Sequence, residues 1–132
     1  METIRLLLVD DEEDFRTTLA SRLRKRNIDV TDVGSGNEAI ELTEKGSFDV
    51  AVVDIKMPGM DGIETLRQLK KIDPLVEVIL LTGHGSIEAG IDGMRLGAYD
   101  YLMKPYNVKD LLQKIEDAYL RKQLEEERTQ GK

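Results

Sequence analysis

Short apolar runs alternate with amphipathic segments along the chain, and this alternation constrains the possible folds more than any other feature of the sequence. The run "FDVAVVD" is the most typical of a buried strand, whereas "IDVTDVG" is polar enough for a sheet edge. Because strands that alternate with helices form parallel sheets covered on both faces, the pattern predicts an α/β, doubly wound sandwich of five strands and five helices. The predicted strands are residues 4–10, 28–34, 48–54, 76–82 and 99–104.

The segments between the strands carry the start and stop signals of helices. Ser35 and Glu38 form a capping-box pattern for the second helix, which we expect to end at Lys45 with Gly46 as a left-handed stop. Apolar residues at helical spacing predict amphipathic faces in other segments. They include Phe15, Leu19 and Leu23 in the first helix, and Ile87, Ile91 and Met94 in a fourth helix that begins after Ser86 and ends at Gly97.

Composition and charge narrow the class of protein. At 132 residues the chain fits one domain with a core of its own. A net charge of -7 lacks the basic character of a nucleic-acid-binding protein, so we expect no direct contact with DNA or RNA. The absence of cysteine excludes disulfides and thiolate metal sites. The six residues from Ile4 to Val9 are too few for a signal peptide or a membrane span, and we expect a cytoplasmic protein without membrane contact.

Polar side chains stand at the carboxyl ends of four predicted strands. The first strand ends in Asp10 and Asp11, the third in Asp54, the fourth in Thr82 and the fifth in Lys104. Ligands of doubly wound folds collect at this edge of the sheet, so we expect these residues at one rim. Carboxylates suit Mg²⁺, and an ionised Asp54 on the central strand is the candidate nucleophile for phosphoryl transfer. Lys104 and Thr82 can contact phosphoryl oxygens.

Each of these residues also has an ordinary structural explanation. Asp10 and Asp11 can cap the first helix, Thr82 can be a plain strand residue, and Lys104 a solvated charge. His84 is interpreted as an exposed loop residue, because a zinc site needs a second His or Cys that the sequence lacks. The combination of polar residues at four strand ends favours a phosphoryl-transfer site over these separate explanations.

The motifs "VDD", "VVDIKMPGMDG", "LTGHGS" and "YDYLMKP", in this order over residues 1–119, resemble those of receiver domains of two-component response regulators. The resemblance is strongest to receivers of nitrogen-regulation-type transcription activators, in which an ATPase and a DNA-binding domain follow a helical linker. It implies a flavodoxin-like (βα)5 fold with strand order 2-1-3-4-5. It also implies a switch that accepts a phosphoryl group on Asp54 from a sensor histidine kinase and catalyses only its own phosphorylation and dephosphorylation.

The same resemblance implies a metal site. Asp11, Asp54 and the backbone carbonyl of Lys56 would bind Mg²⁺, and Asp10 would act through metal-bound water. We also expect the side chains of Lys56 and His84 to hinder attack by water and so to set the lifetime of the phosphoryl group.

An aspartyl-phosphate phosphatase is the main alternative, but such hydrolases carry an acid/base carboxylate two residues beyond the nucleophile, where this chain has Lys56. A flavin-binding protein is disfavoured, because "DDEED" after the first strand would repel phosphate.

The switch residues are implied in the same way. Thr82 and Lys104 would contact the phosphoryl group, Tyr101 would be an aromatic rotamer switch, and the Lys104–Pro105 peptide bond would be cis. The readout surface would comprise the fourth helix, fifth strand and fifth helix, where an output domain, an effector protein or a second copy of the chain could bind.

Residues 120–132 are interpreted as a charged helix extension or linker beyond a domain of residues 1–119. The inward apolar stripe of the last helix ends at Tyr119, and Leu120 and Leu124 lie on another side of the helix. One interpretation is a solvated, fraying tail. The other is the start of a signalling helix or coiled coil through which a homodimer could form.

Overall fold

Five parallel strands form one sheet in the order β2-β1-β3-β4-β5, which confirms the predicted fold. The computed structural model describes residues 3–83 and 87–130, so the predictions for His84 and Ser86 lie outside the described residues. The strands are β1 (Arg5–Val9), β2 (Asp29–Val33), β3 (Val50–Asp54), β4 (Glu77–Thr82) and β5 (Asp100–Met103). The helices are α1 (Glu13–Arg24), α2 (Gly36–Lys45), α3 (Gly62–Ile72), α4 (Ile87–Arg95) and α5 (Val108–Gln130).

Each face of the sheet carries its own apolar core, because alternate residues of a strand point to opposite faces. Leu6 and Leu8 of β1 pack in the core that contains buried residues of α1 and α5. Leu7 and Val9 pack in the opposite core, which contains buried residues of α2 and α3. Strand β3 pairs with β1 and β4 and is buried along its whole length. Its last residue, Asp54, is therefore held by a rigid and fully covered strand.

The ends of the helices follow the sequence signals with one exception. The Ser35 hydroxyl accepts a hydrogen bond from the Glu38 backbone N–H at 3.2 Å, as an N-cap should. The Glu38 carboxylate accepts from the N–H of Gly34 at 3.0 Å, which completes the turn before α2. The prediction of a left-handed Gly46 is wrong, because its φ of -169° is extended backbone. Gly97, with φ of +103°, does adopt the positive φ that favours glycine.

Helix α4 turns its apolar stripe away from the sheet. Its inner face carries Gly90 and Gly93 instead, and a side chain at Gly93 would collide with Leu80 of β4. The two glycines let the helix backbone lie close to the sheet, which leaves the large side chains outside. The exposed residues are Ile87 at 47%, Ile91 at 43% and Met94 at 40%.

Helix α5 continues without a break through Gln130, and its later turns are attached to the sheet. Lys122 is 7% exposed and its ammonium lies 2.8 Å from the Asp49 carboxylate, immediately before β3. Arg121 pairs with the buried Glu77 at the start of β4, at 3.2 Å. The helix is therefore held at the edge of the sheet opposite Asp54. None of the helices in the ranges described above is long and apolar enough to cross a membrane.

Candidate functional site

The structure brings four predicted residues to the same edge of the sheet. Asp10 directly follows β1, Asp54 ends β3, Thr82 ends β4 and Lys104 directly follows β5. Asp10 and Thr82 are 0% exposed and Asp54 is 5% exposed, which is unusual for polar side chains. The carboxyl ends of the parallel strands lie at one edge of the sheet, so these four residues share a common rim.

Lys104 provides the positive charge of this rim. Its Nζ lies 3.4 Å from Oδ1 of Asp54 and 4.0 Å from Oδ2 of Asp10. The same nitrogen lies 4.8 Å from the centroid of the Phe15 ring. Phe15 belongs to the predicted stripe of α1, but it is 36% exposed while Leu19 and Leu23 are buried. The first position of that stripe therefore faces the site and not the core.

Burial governs the charge state of the two aspartates. Desolvation raises the pKa of Asp54 to about 6, against an opposing effect of the nearby Lys104 ammonium. Desolvation also raises the pKa of Asp10, and the hydrogen bond from the Glu12 backbone N–H opposes this rise. One partly exposed lysine thus faces two buried carboxylates, so the rim favours binding of a further cation.

The oxygen atoms of three carboxylates are close enough for one metal ion. Ligand oxygens of Asp10, Glu12 and Asp54 all lie within 4.8 Å of one another. Oδ1 of Asp10 accepts a hydrogen bond from the Glu12 N–H at 2.9 Å, whereas its buried Oδ2 has no hydrogen-bond partner among the described residues. An unpartnered buried carboxylate oxygen in a site of oxygen donors fits a hard cation such as Mg²⁺.

Two further metal ligands, Asp11 and the Lys56 backbone carbonyl, were predicted from the sequence. Asp11 is exposed and is not part of this group of three, which contains Glu12 instead. Lys56 has an exposed side chain and lies between β3 and α3, where its backbone carbonyl follows Asp54 by two residues. Glu12 was not among the predicted ligands, although it belongs to the acidic run "DDEED" that the sequence displays after β1.

The other predicted site residues that the structure describes belong to β4, β5 and the segment directly after β5. The buried hydroxyl of Thr82 has no hydrogen-bond partner within the part of the chain that the structure describes. The partly buried Tyr101 ring packs beside α4, where a side chain at Gly90 would come within 3.3 Å of it. The Lys104–Pro105 peptide bond is cis.

Sequence reasoning did not single out Tyr106. Its ring meets the Phe15 ring edge to face, with centroids 6.4 Å apart. Burial raises the pKa of its hydroxyl, and the negative charges of Asp10 and Asp54 add to that rise. No pattern in the sequence indicates that Tyr106, which follows the cis peptide bond, contacts Phe15 beside the site.

Known proteins of one family match most of the chain. The response regulator receiver domain family matches residues 6–116. The transcriptional regulatory protein YkoG of Bacillus subtilis is 36% identical over 118 residues, covering 89% of this chain and 52% of that protein. The DNA-binding transcriptional regulator NtrC of Klebsiella pneumoniae is 34% identical over 111 residues, covering 84% of this chain and 24% of that protein. The chain thus spans about half of the length of YkoG and about a quarter of the length of NtrC.

Solved structures agree with this assignment. A response regulator receiver domain protein of Clostridium thermocellum superposes with a TM-score of 0.88 at 36% identity, covering 92% of this chain and 98% of that one. The family match over residues 6–116 and the shared fold therefore identify this chain as a member of the response regulator receiver domain family.

Proposed function

We propose that this receiver domain accepts a phosphoryl group on Asp54 from the phosphohistidine of a sensor histidine kinase, with Mg²⁺ as the required ion. The observation that carries the proposal is the position of Asp54, a buried carboxylate at a strand end, 3.4 Å from the Lys104 ammonium. A buried acid that is paired with one lysine, and that shares its site with two further carboxylates, costs folding free energy. Such an arrangement is expected where chemistry requires it.

The proposed transfer needs no general base. With a pKa of about 6, Asp54 is mostly ionised at pH 7 and can attack phosphorus directly. The new bond joins an Asp54 oxygen to phosphorus, while the bond from phosphorus to the histidine nitrogen breaks and its electron pair stays on the imidazole. Lys104 is within reach to exchange its carboxylate contact for a phosphoryl oxygen.

Mg²⁺ would neutralise part of the charge on the phosphoryl oxygens during transfer. Asp10, Glu12 and Asp54 are the residues whose oxygens are placed to hold it. The resemblance adds Asp11 and the Lys56 carbonyl as candidates, and we keep both in the proposal. Most of the rate would then come from positioning and charge neutralisation, as is general for phosphoryl transfer.

The conformational change would be transmitted from Thr82 to the surface of α4. The Thr82 methyl group and the Tyr101 ring both face Gly90, since a Cβ atom at this glycine would lie 3.4 Å and 3.3 Å from them. Movement of the Thr82 hydroxyl towards a phosphoryl oxygen would change the space available to the Tyr101 ring. A shift in population follows only because the phosphoryl group contacts the two states differently. The exposed large apolar residues of α4 and β5 are Ile87, Ile91, Met94 and Met103.

The partners proposed for this switch are a sensor histidine kinase and, at the α4-β5-α5 surface, an output domain, an effector protein or a second copy. The net charge of -7 supports a protein partner over direct contact with nucleic acid. NtrC, described as DNA-binding, has only 24% of its length matched by this chain, so its DNA contacts are not carried over. We also propose that the protein is located in the cytoplasm.

Mass spectrometry of the intact chain tests the proposed acceptor. The chain is incubated with phosphoramidate, whose P–N bond mimics phosphohistidine, with Mg²⁺ or with EDTA. We expect one added phosphoryl group on the wild type with Mg²⁺, and none on Asp54→Ala. The matched control is Asp92→Asn, an exposed carboxylate of α4, which should label like the wild type. An unlabelled wild type would overturn the proposal, and a labelled Asp54→Ala would place the acceptor on another residue.

A further inference from the structure

We propose that Phe15 is a positioning residue for Lys104, whose ring face attracts the lysine ammonium and keeps it partly away from the carboxylates that would hold Mg²⁺. The inference rests on the proposed function, because it concerns the residue that would contact the phosphoryl group. It adds a residue of α1 to a site otherwise built from the ends of the strands.

The distances around Lys104 show that its ammonium is shared. Nζ lies 4.8 Å from the centroid of the Phe15 ring, inside the range of about 6 Å over which a cation is attracted to an aromatic face. Its carboxylate contacts, 3.4 Å to Asp54 and 4.0 Å to Asp10, exceed the roughly 2.7–2.9 Å of a strong charge-assisted hydrogen bond. The Lys104 ammonium therefore lies between the Phe15 ring and the two carboxylates, and it forms a short hydrogen bond with neither carboxylate.

Phe15 contacts a second aromatic ring, although the residue is not part of the core. Its ring is perpendicular to that of Tyr106, with an interplanar angle of 90° and a centroid distance of 6.4 Å. This edge-to-face contact leaves the face of Phe15 available to the cation. Core packing does not explain the position, because the side chain is 36% exposed while Leu19, one turn later on the same helix, is 4% exposed.

The proposed consequence concerns competition for the carboxylates. Lys104 and a divalent cation are both attracted to Asp54 and Asp10, so an ammonium that moves closer to them disfavours the metal. Replacing Phe15 by Leu keeps an apolar side chain but removes the negative face of the ring. We expect Phe15→Leu to weaken Mg²⁺ binding about two- to fivefold, the range that corresponds to a partly exposed cation–π contact. Phe15→Tyr retains the aromatic face and should bind Mg²⁺ like the wild type.

The first measurement needs no metal. In an NMR spectrum of the metal-free chain, the ε-methylene protons of Lys104 should be shifted upfield by the ring current of Phe15. We expect that shift to persist in Phe15→Tyr and to vanish in Phe15→Leu. Equal Lys104 shifts in the wild type and Phe15→Leu would overturn the proposal.

The second measurement is a double-mutant cycle on the Mg²⁺ dissociation constant, obtained by calorimetry. In a Lys104→Met background, Phe15→Leu should leave Mg²⁺ binding unchanged, because the cation that the ring positions is gone. A loss of Mg²⁺ affinity that is equal in both backgrounds, or absent in both, would contradict the proposed role of Phe15 but not the proposed function. A wild type that shows the ring-current shift but binds no Mg²⁺ would instead contradict the proposed function, and with it the competition.

Discussion

Neutralising Asp54 should stabilise the metal-free fold. The pKa of this carboxyl rises from an ordinary 3.8 to about 6 because Asp54 is buried and only 5% exposed. A rise of this size means that the ionised form costs the folded state about 3 kcal/mol at pH 7. The pKa of about 6 already includes the attraction to Lys104, so Asp54→Asn removes this net cost. We expect a gain of about 2–3 kcal/mol in the free energy of unfolding.

The pH dependence gives the sign of the effect. A carboxyl whose pKa is higher in the folded state contributes stability below the unfolded value of 3.8, and loses that contribution as the pH rises through about 6. The advantage of Asp54→Asn should therefore be largest at pH 7 and smaller by about 1 kcal/mol at pH 5. Urea denaturation in EDTA at the two pH values measures both differences.

The control and the refuting result are equally specific. Asp92→Asn changes an exposed carboxylate that lies 4.0 Å from Arg95, and it should alter stability by less than about 0.5 kcal/mol. Mg²⁺ should stabilise the wild type and have much less effect on Asp54→Asn. An Asp54→Asn variant that is no more stable than the wild type in EDTA at pH 7 would refute the assignment of a destabilising buried charge.

Three further outcomes follow from the same structure. Gly93→Ala should lower stability by about 1–3 kcal/mol in urea denaturation, because its Cβ would collide with Leu80, despite the better helix propensity of alanine. Lys122→Met should cost about 1–3 kcal/mol and speed hydrogen exchange in residues 122–130, because it leaves Asp49 without its ammonium partner. Mg²⁺ affinity should fall about tenfold from pH 7 to pH 5 in calorimetry, since a proton with a pKa of about 6 competes for Asp54.

The strand-end residues could be predicted because the sheet itself determines their position. An apolar run that ends in Asp54 or Thr82 places that residue at the carboxyl end of a parallel strand, whatever the surrounding loops do. The choice between Asp11 and Glu12 could not be made in this way. It depends on the backbone path of the loop between β1 and α1, and neither strand periodicity nor helix periodicity describes a loop.

The face of α4 shows a different limit. Hydrophobic spacing reveals that Ile87, Ile91 and Met94 share one side of a helix, but not whether that side meets the sheet. Gly90 and Gly93 were the available signal, since two glycines at helical spacing permit a close approach of the backbone. The burial of Lys122 was unpredictable for a related reason: its partner Asp49 lies 73 positions away, and no local pattern links the two residues.

The attachment of α5 beside the starts of β3 and β4 fixes the rotation of this helix about its own axis. The helix has 23 residues, or about 34 Å of length, and the Lys122–Asp49 ion pair prevents its later turns from rotating independently of the strands. Leu120 and Leu124 therefore point in a defined direction relative to Asp54. Any segment that continues the helix inherits this angle, and one inserted residue would turn it by about 100°. The number of residues between Lys122 and such a segment thus determines the direction in which the segment faces, independently of which residues they are.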